Sequence, residues 1–228
     1  MTIWEEITVF GGLPLTGLIA SAIACSLLVA TDHPWRMSAR WCALFLTALG
    51  LAAASQIAFL AWGMGVEAVS FGGFSGHATR AAAVFPVALF VLCIRCRSWI
   101  KTCAVLTGFG IAATIALSRV QIGAHSVAEA TAGFLLGAVI ALAFLWQART
   151  SHRNFAAIPL IALCLATAMS TGRAERGAAS MTHQWLIGAA LNLSGHDRPY
   201  SRANWKLAPD PYVPPCASAS IRLRYFCR

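Results

Sequence analysis

Residues 118–146 read SRVQIGAHSVAEATAGFLLGAVIALAFLW. A helix needs about 20 mostly apolar residues to cross a bilayer, and 127–146 has that length with Glu129 as its one charged side chain. Directly before it lies a polar island holding Ser118, Arg119 and His125. A chain that places a base, an imidazole and a carboxylate where an apolar run begins is a membrane protein with chemistry at the membrane surface. Ionisable groups at that depth are expensive and usually functional.

The rest of the chain agrees. Of 228 residues, 58% are hydrophobic and 11% charged, against about 25% charged in an average soluble domain. Apolar runs fall at 7–30, 41–62, 78–94, 100–117, 127–146 and 155–170. The expected fold is therefore all-α, a six-helix transmembrane bundle over 1–170, with a tail at 171–228 outside the membrane. Pro14 and Pro86 lie inside predicted helices, which membrane helices tolerate. Gly108, Gly110, Gly133 and Gly137 offer close helix packing.

The net charge of +9 raises the question of nucleic acid. The bases, however, sit in short segments between apolar runs, with no exposed stripe alternating bases and aromatics. Nucleic acid is excluded as a partner. These charges set topology instead. Arg36 and Arg40, then Arg95, Arg97 and Lys101, then Arg149 and Arg153 occupy alternate loops. The positive-inside rule makes those loops cytoplasmic. Both chain ends then lie outside, and the expected location is an inner membrane with the site facing the periplasm.

The tail is rich in Arg, Pro, Ser and Trp. Residues 184–193 are expected as a short interfacial helix anchored by Trp185, and Pro209, Pro211, Pro214 and Pro215 argue against regular structure beyond it. Cys216 and Cys227 fall in the exported tail, where an oxidising compartment favours a disulfide between them. Cys93 and Cys96 form a C-x-x-C without a second ligand pair, which reads as packing rather than redox or metal chemistry.

Two islands carry the chemistry. His125 and Glu129 are four residues apart and share a helix face. A carboxylate that fixes one imidazole nitrogen leaves the other as a nucleophile. Arg119 offers a planar fork of donors matched to phosphate oxygens. The second island, Ser75-Gly76-His77, brings a hydroxyl, a backbone that can approach a ligand closely, and an imidazole able to act as general acid. Arg80 follows one turn later on the same face.

Ser75-Gly76-His77 resembles the second motif of the type 2 phosphatidic acid phosphatase (PAP2) superfamily. Ser118-Arg119, five residues, His125, three residues and Glu129 resemble its third motif. The resemblance implies a six-helix lipid phosphatase that works without a metal ion or other cofactor. It casts His125 as the nucleophile forming a phosphohistidine, His77 as the acid for the leaving group, and Glu129, where the family usually has Asp, as the group orienting His125. Ser75, Gly76 and Arg119 take phosphate-binding positions, with Arg80 as an added cation. The implied partners are membrane lipids, and the substrate a lipid phosphate such as phosphatidate, phosphatidylglycerophosphate, undecaprenyl pyrophosphate or lipid A phosphate.

The family's first motif, a Lys followed six residues later by Arg-Pro, has no counterpart here. Residues 41–79 contain no Lys or Arg. Arg80 and, in the tail, Arg198 or Arg202 are the candidate substitutes. The same gap supports a second reading, a fold of this type that binds or moves an anionic lipid without cleaving it. A second Ser-Gly-His, at 194–196, lacks a partner motif and reads as coincidence.

Overall fold

A computed structural model describes residues 2–30, 34–94, 96–148 and 172–205. Seven α-helices are seen among them: α1 (Ile3–Val9), α2 (Leu13–Ala30), α3 (Pro34–Trp62), α4 (Gly76–Leu92), α5 (Ser98–Gln121), α6 (Val127–Ala148) and α7 (Gly172–Ser194). The fold is all-α, and the described residues contain no strand, only an isolated antiparallel bridge between Val66 and Phe71. Among the described residues four stretches are long and apolar enough to cross a membrane: Ile3–Leu28, Trp35–Trp62, Ser98–Gln121 and Val127–Ala148. The expected run at 155–170 and the Cys216–Cys227 bridge lie outside the described residues.

The shorter apolar helix α4 is the axis of the bundle. It packs most extensively on α5 and α6, and also on α2 and α3. Every residue from Ala78 to Ala88 is buried. Small side chains make this possible, since without a hydrophobic drive in lipid, helices associate through close packing. A Cβ on Gly133 would come within 2.6 Å of the Ser75 carbonyl oxygen, and one on Gly137 would strike the Thr79 carbonyl. A Cβ on Gly108 would meet Pro86 Cα at 2.5 Å. The expected packing role thus holds for these three, whereas Gly110 faces open space.

Trp41 locks α3 to α2 deep in the bundle. Its indole Nε1 donates to the Ala20 carbonyl at 2.9 Å, and its ring packs on Phe45 and Phe144 at 5.7 and 5.2 Å. A buried indole needs such a partner.

Two expectations are corrected. The first apolar run is not one continuous helix. It breaks after Val9, and Gly12 starts α2 by accepting from Thr16 N at 3.0 Å. Pro14 therefore stands in the first turn of α2, where a missing N–H costs little. The tail is also more ordered than its apolar content suggests, because α7 runs for 23 residues, not only through 184–193. Its first half, with Arg173, Glu175 and Arg176, has no apolar run to betray it, but Ala and Arg are good helix formers. Leu186 and Ala190 are buried while Trp185 and Leu193 are exposed. α7 packs mainly on α3, with smaller contacts to α2 and α1.

Candidate active site

The two polar islands meet at one end of the bundle, where α3 and α5 end and α4 and α6 begin. The backbone joins them directly, since Ser75 N donates to the Glu129 carbonyl at 3.1 Å. α3 supports the same turn. Ser55 Oγ accepts from Phe74 N at 3.0 Å, and Gln56 Nε2 donates to the Phe74 carbonyl at 2.7 Å. Gly73 adopts φ +138°, open to glycine and strained for other residues.

The five-residue gap between Arg119 and His125 has a geometric cause. Both Ala124 N and His125 N donate to the Arg119 carbonyl at 3.1 Å. The chain folds back over the end of α5, and Gly123 supplies the left-handed turn at φ +69°. His125 is thereby fixed relative to Arg119 before either meets a ligand.

Glu129 is the organising carboxylate. Its Oε2 lies 2.9 Å from His125 Nδ1 and 3.0 Å from Ser126 N, and its Oε1 accepts from Gly72 N at 2.8 Å. Glu129 N in turn donates to Ser126 Oγ at 3.2 Å, the reciprocal pattern of a capped helix start. A carboxylate only accepts, so His125 Nδ1 carries a proton, and in the neutral ring Nε2 keeps its lone pair. Glu129 is buried and His125 partly so. The expected pairing is thus present in geometry, with Glu in place of Asp.

The cationic side is held by the amino-terminal segment. Arg80 Nε donates to the Gly11 carbonyl at 3.2 Å, and Arg119 Nη1 donates to Thr8 Oγ1 at 2.9 Å. Arg80 Nη2 lies 3.4 Å from His77 Nδ1. A guanidinium only donates, so the neutral His77 ring has its proton on Nε2. Gly11 packs against His77, where a Cβ would stand 3.1 Å from His77 Cβ.

These groups line one cavity of about 690 Å³. Its polar end carries His77, Arg80, Arg119, His125 and Glu129, together with Gly76. Its other walls are mostly apolar, with Leu49, Ala52 and Ala53 of α3, Leu13 of α2 and Leu186 of α7, and carry Gln56, Thr182 and His183 as polar lining. Ser75, fully buried next to Gly76, is not among the residues that line the cavity. Its Oγ is fully buried and has no hydrogen-bond partner among the described residues. Such orphaned hydroxyls are rare in native structures and call for an explanation.

The PAP2 superfamily sequence model matches residues 54–153, which span both islands. This chain belongs to the PAP2 superfamily. A Klebsiella pneumoniae protein described as "Uncharacterized 22.5 kDa protein in cps region" is 32% identical over 203 residues, covering 88% of this chain and 96% of that protein. No solved structure matches.

Within this PAP2 chain the structure brings all seven expected site residues to one end of the bundle. It also adds residues that motif reading missed. Thr8 and Gly11 steady the arginines, Gly72 steadies Glu129, and Gln56 steadies the Ser75 turn. The adjacent pair Gly72-Gly73, set just before Ser75-Gly76-His77, is the sequence signal that would have flagged the third of these. The second Ser-Gly-His is structural. His196 Nδ1 bonds the Ala61 carbonyl at 2.9 Å and so fastens the tail to α3. Cys93 and Cys96 are free thiols at the opposite end of α4.

Proposed function

We propose that this protein is a membrane phosphatase that hydrolyses a phosphomonoester or pyrophosphate on a lipid through a phosphohistidine intermediate. The observation that carries the reading is the His125–Glu129 pair facing a cavity that Arg80 and Arg119 also line. His125 Nε2 attacks phosphorus while Glu129 stabilises the imidazolium through Nδ1–H. Arg119, Arg80 and the Ser75 hydroxyl hold the phosphate oxygens, where charge-assisted bonds are strongest. A phosphate dianion that draws Arg80 towards itself releases His77 Nδ1 and favours the imidazolium, which then protonates the leaving oxygen. Water next attacks the phosphohistidine, and His125 returns to its starting state.

The apolar walls support a lipid substrate. Along α3 the cavity runs from Phe59 to Leu49, about 15 Å at 1.5 Å per residue. That limb suits an acyl or polyprenyl chain entering from the bilayer while the phosphate sits among the arginines. Loop charges support a cytoplasmic face for the opposite end and a periplasmic, inner-membrane setting for the site.

The test is phosphate release from phosphatidate and from a polyprenyl pyrophosphate by the purified protein, with radiolabelled substrate to trap the intermediate. The expected result is turnover, a label on His125, and loss of both in His125→Ala. Lipid phosphate that binds without label or release would instead establish the non-catalytic binder, and full activity in His125→Ala would end the mechanism.

A further inference from the structure

The family's first motif is missing, yet one cation reaches the site from a part of the chain beyond the matched residues 54–153. Arg202 lines the same cavity as His77 and His125. Its Nη1 lies 3.4 Å from Glu129 Oε2, and its Nη2 donates to the Ala124 carbonyl at 3.3 Å. Ala124 immediately precedes His125. The guanidinium therefore spans the two residues that frame the nucleophile.

The segment carrying Arg202 is pinned on both sides. Tyr200 N donates to the Leu60 carbonyl at 2.9 Å, and the Tyr200 ring covers Gly63, where a Cβ would meet it at 3.0 Å. On the other side the Trp205 ring packs edge-on against Phe59 at 5.2 Å. Together with His196 on Ala61, these contacts tie residues 196–205 to the end of α3. The position of Arg202 is thus built, not incidental.

Its bonds are also loose, as long as the Arg80–His77 contact. Glu129 Oε2 already accepts from His125 and Ser126 at 2.9 and 3.0 Å. The two Arg202 contacts sit at the long end of the hydrogen-bond range, and its side chain is 37% exposed against 5% for Glu129. A phosphate oxygen arriving at His125 Nε2 is a better acceptor for that guanidinium than an oxygen already served by two donors. With Arg80 and Arg119 it makes three guanidinium groups lining one cavity.

We propose that Arg202 is the third phosphate-binding cation of this site, delivered by the carboxyl-terminal segment in place of a first-motif residue. The inference rests on the phosphate-site reading above, and its test separates the two. Orthovanadate binding to the full-length protein in detergent is measured by calorimetry, beside phosphate release from phosphatidate. In Arg202→Ala vanadate binding weakens at least about tenfold and turnover falls with it. Arg202→Lys recovers part of both, and added guanidinium restores the alanine variant's rate. Arg202→Gln, which keeps a polar stem without the charge, guards against a folding defect when its melting temperature matches wild type, and behaves like the alanine variant. Vanadate affinity within twofold of wild type in Arg202→Ala and Arg202→Gln overturns the proposal, and a fall in turnover alone overturns it too, because Arg202 then merely props Glu129. A wild-type protein that binds vanadate through Arg202 yet releases no phosphate sinks the phosphatase reading and leaves the cation in place. A wild-type protein that binds no vanadate overturns both.

Discussion

Replacing Glu129 by Gln keeps the size of the side chain and removes its charge. The structure says what is lost. Oε1 serves one donor, Gly72 N, and a Gln carbonyl oxygen can still accept that bond. The amide nitrogen then faces His125 Nδ1, Ser126 N and Arg202 Nη1, all of them donors. The charge-assisted bond to His125 disappears, and the imidazolium that forms on attack has no counter-ion. A bond to a charged group contributes about 1.5–3 kcal/mol, and about 1.4 kcal/mol is tenfold in rate. Glu129→Gln should therefore slow turnover about 10- to 150-fold, while His125→Ala abolishes it. Initial rates of phosphate release from phosphatidate in mixed micelles read the effect, with thermal denaturation as the check on folding. Glu129→Asp is expected between wild type and Glu129→Gln, since the charge remains but the reach shortens by a methylene. A Glu129→Gln enzyme within threefold of wild type, or one more damaged than His125→Ala, would refute the orienting role.

Ser75→Ala removes a buried hydroxyl that has no partner among the described residues. It should leave the melting temperature unchanged or slightly raised, while KM rises about five- to tenfold, the worth of one hydrogen bond of about 1 kcal/mol; a lower melting temperature with unchanged KM would show the hydroxyl to be structural. Gly133→Ala forces α6 away from the Ser75 carbonyl, and overpacking of about 1–3 kcal/mol should appear as a lower melting temperature with reduced turnover. Ala53→Trp fills the apolar limb; turnover of phosphatidate should fall more than about tenfold, and that of a short water-soluble phosphomonoester should hold. Single cysteines introduced at Ser201 and Ser98 into a cysteine-free protein should label from opposite sides of the membrane, Ser201 from outside, as loop charges require; labelling of both from one side would contradict the topology.

The sequence made the bundle and its reactive end readable for separate reasons. Runs of apolar residues announce α3, α5 and α6 because lipid demands them. The site was legible because His125, Glu129 and Arg119 depend on spacing within one turn and one short loop, and local spacing survives in a linear text. The break after Val9 was not legible, because Phe10 to Leu13 is apolar enough to pass for continuous helix. α7 escaped for the opposite reason, since it gains its place from packing on α3 rather than from a run of its own. The tethering of Arg80 to Gly11 and of Arg119 to Thr8 links residues 69 and 111 positions apart, and nothing in either neighbourhood signals the other. Arg202 was only a candidate for the same reason.

The short helix α1 has a practical consequence. Together with the turn that follows it, this helix holds two guanidiniums, through Thr8 and Gly11, although neither forms part of either motif. A bulky fusion joined directly ahead of Ile3 would tug on Thr8 and Gly11. The damage would surface as poor affinity for the anion rather than as poor expression, so affinity handles for purification belong elsewhere on this molecule.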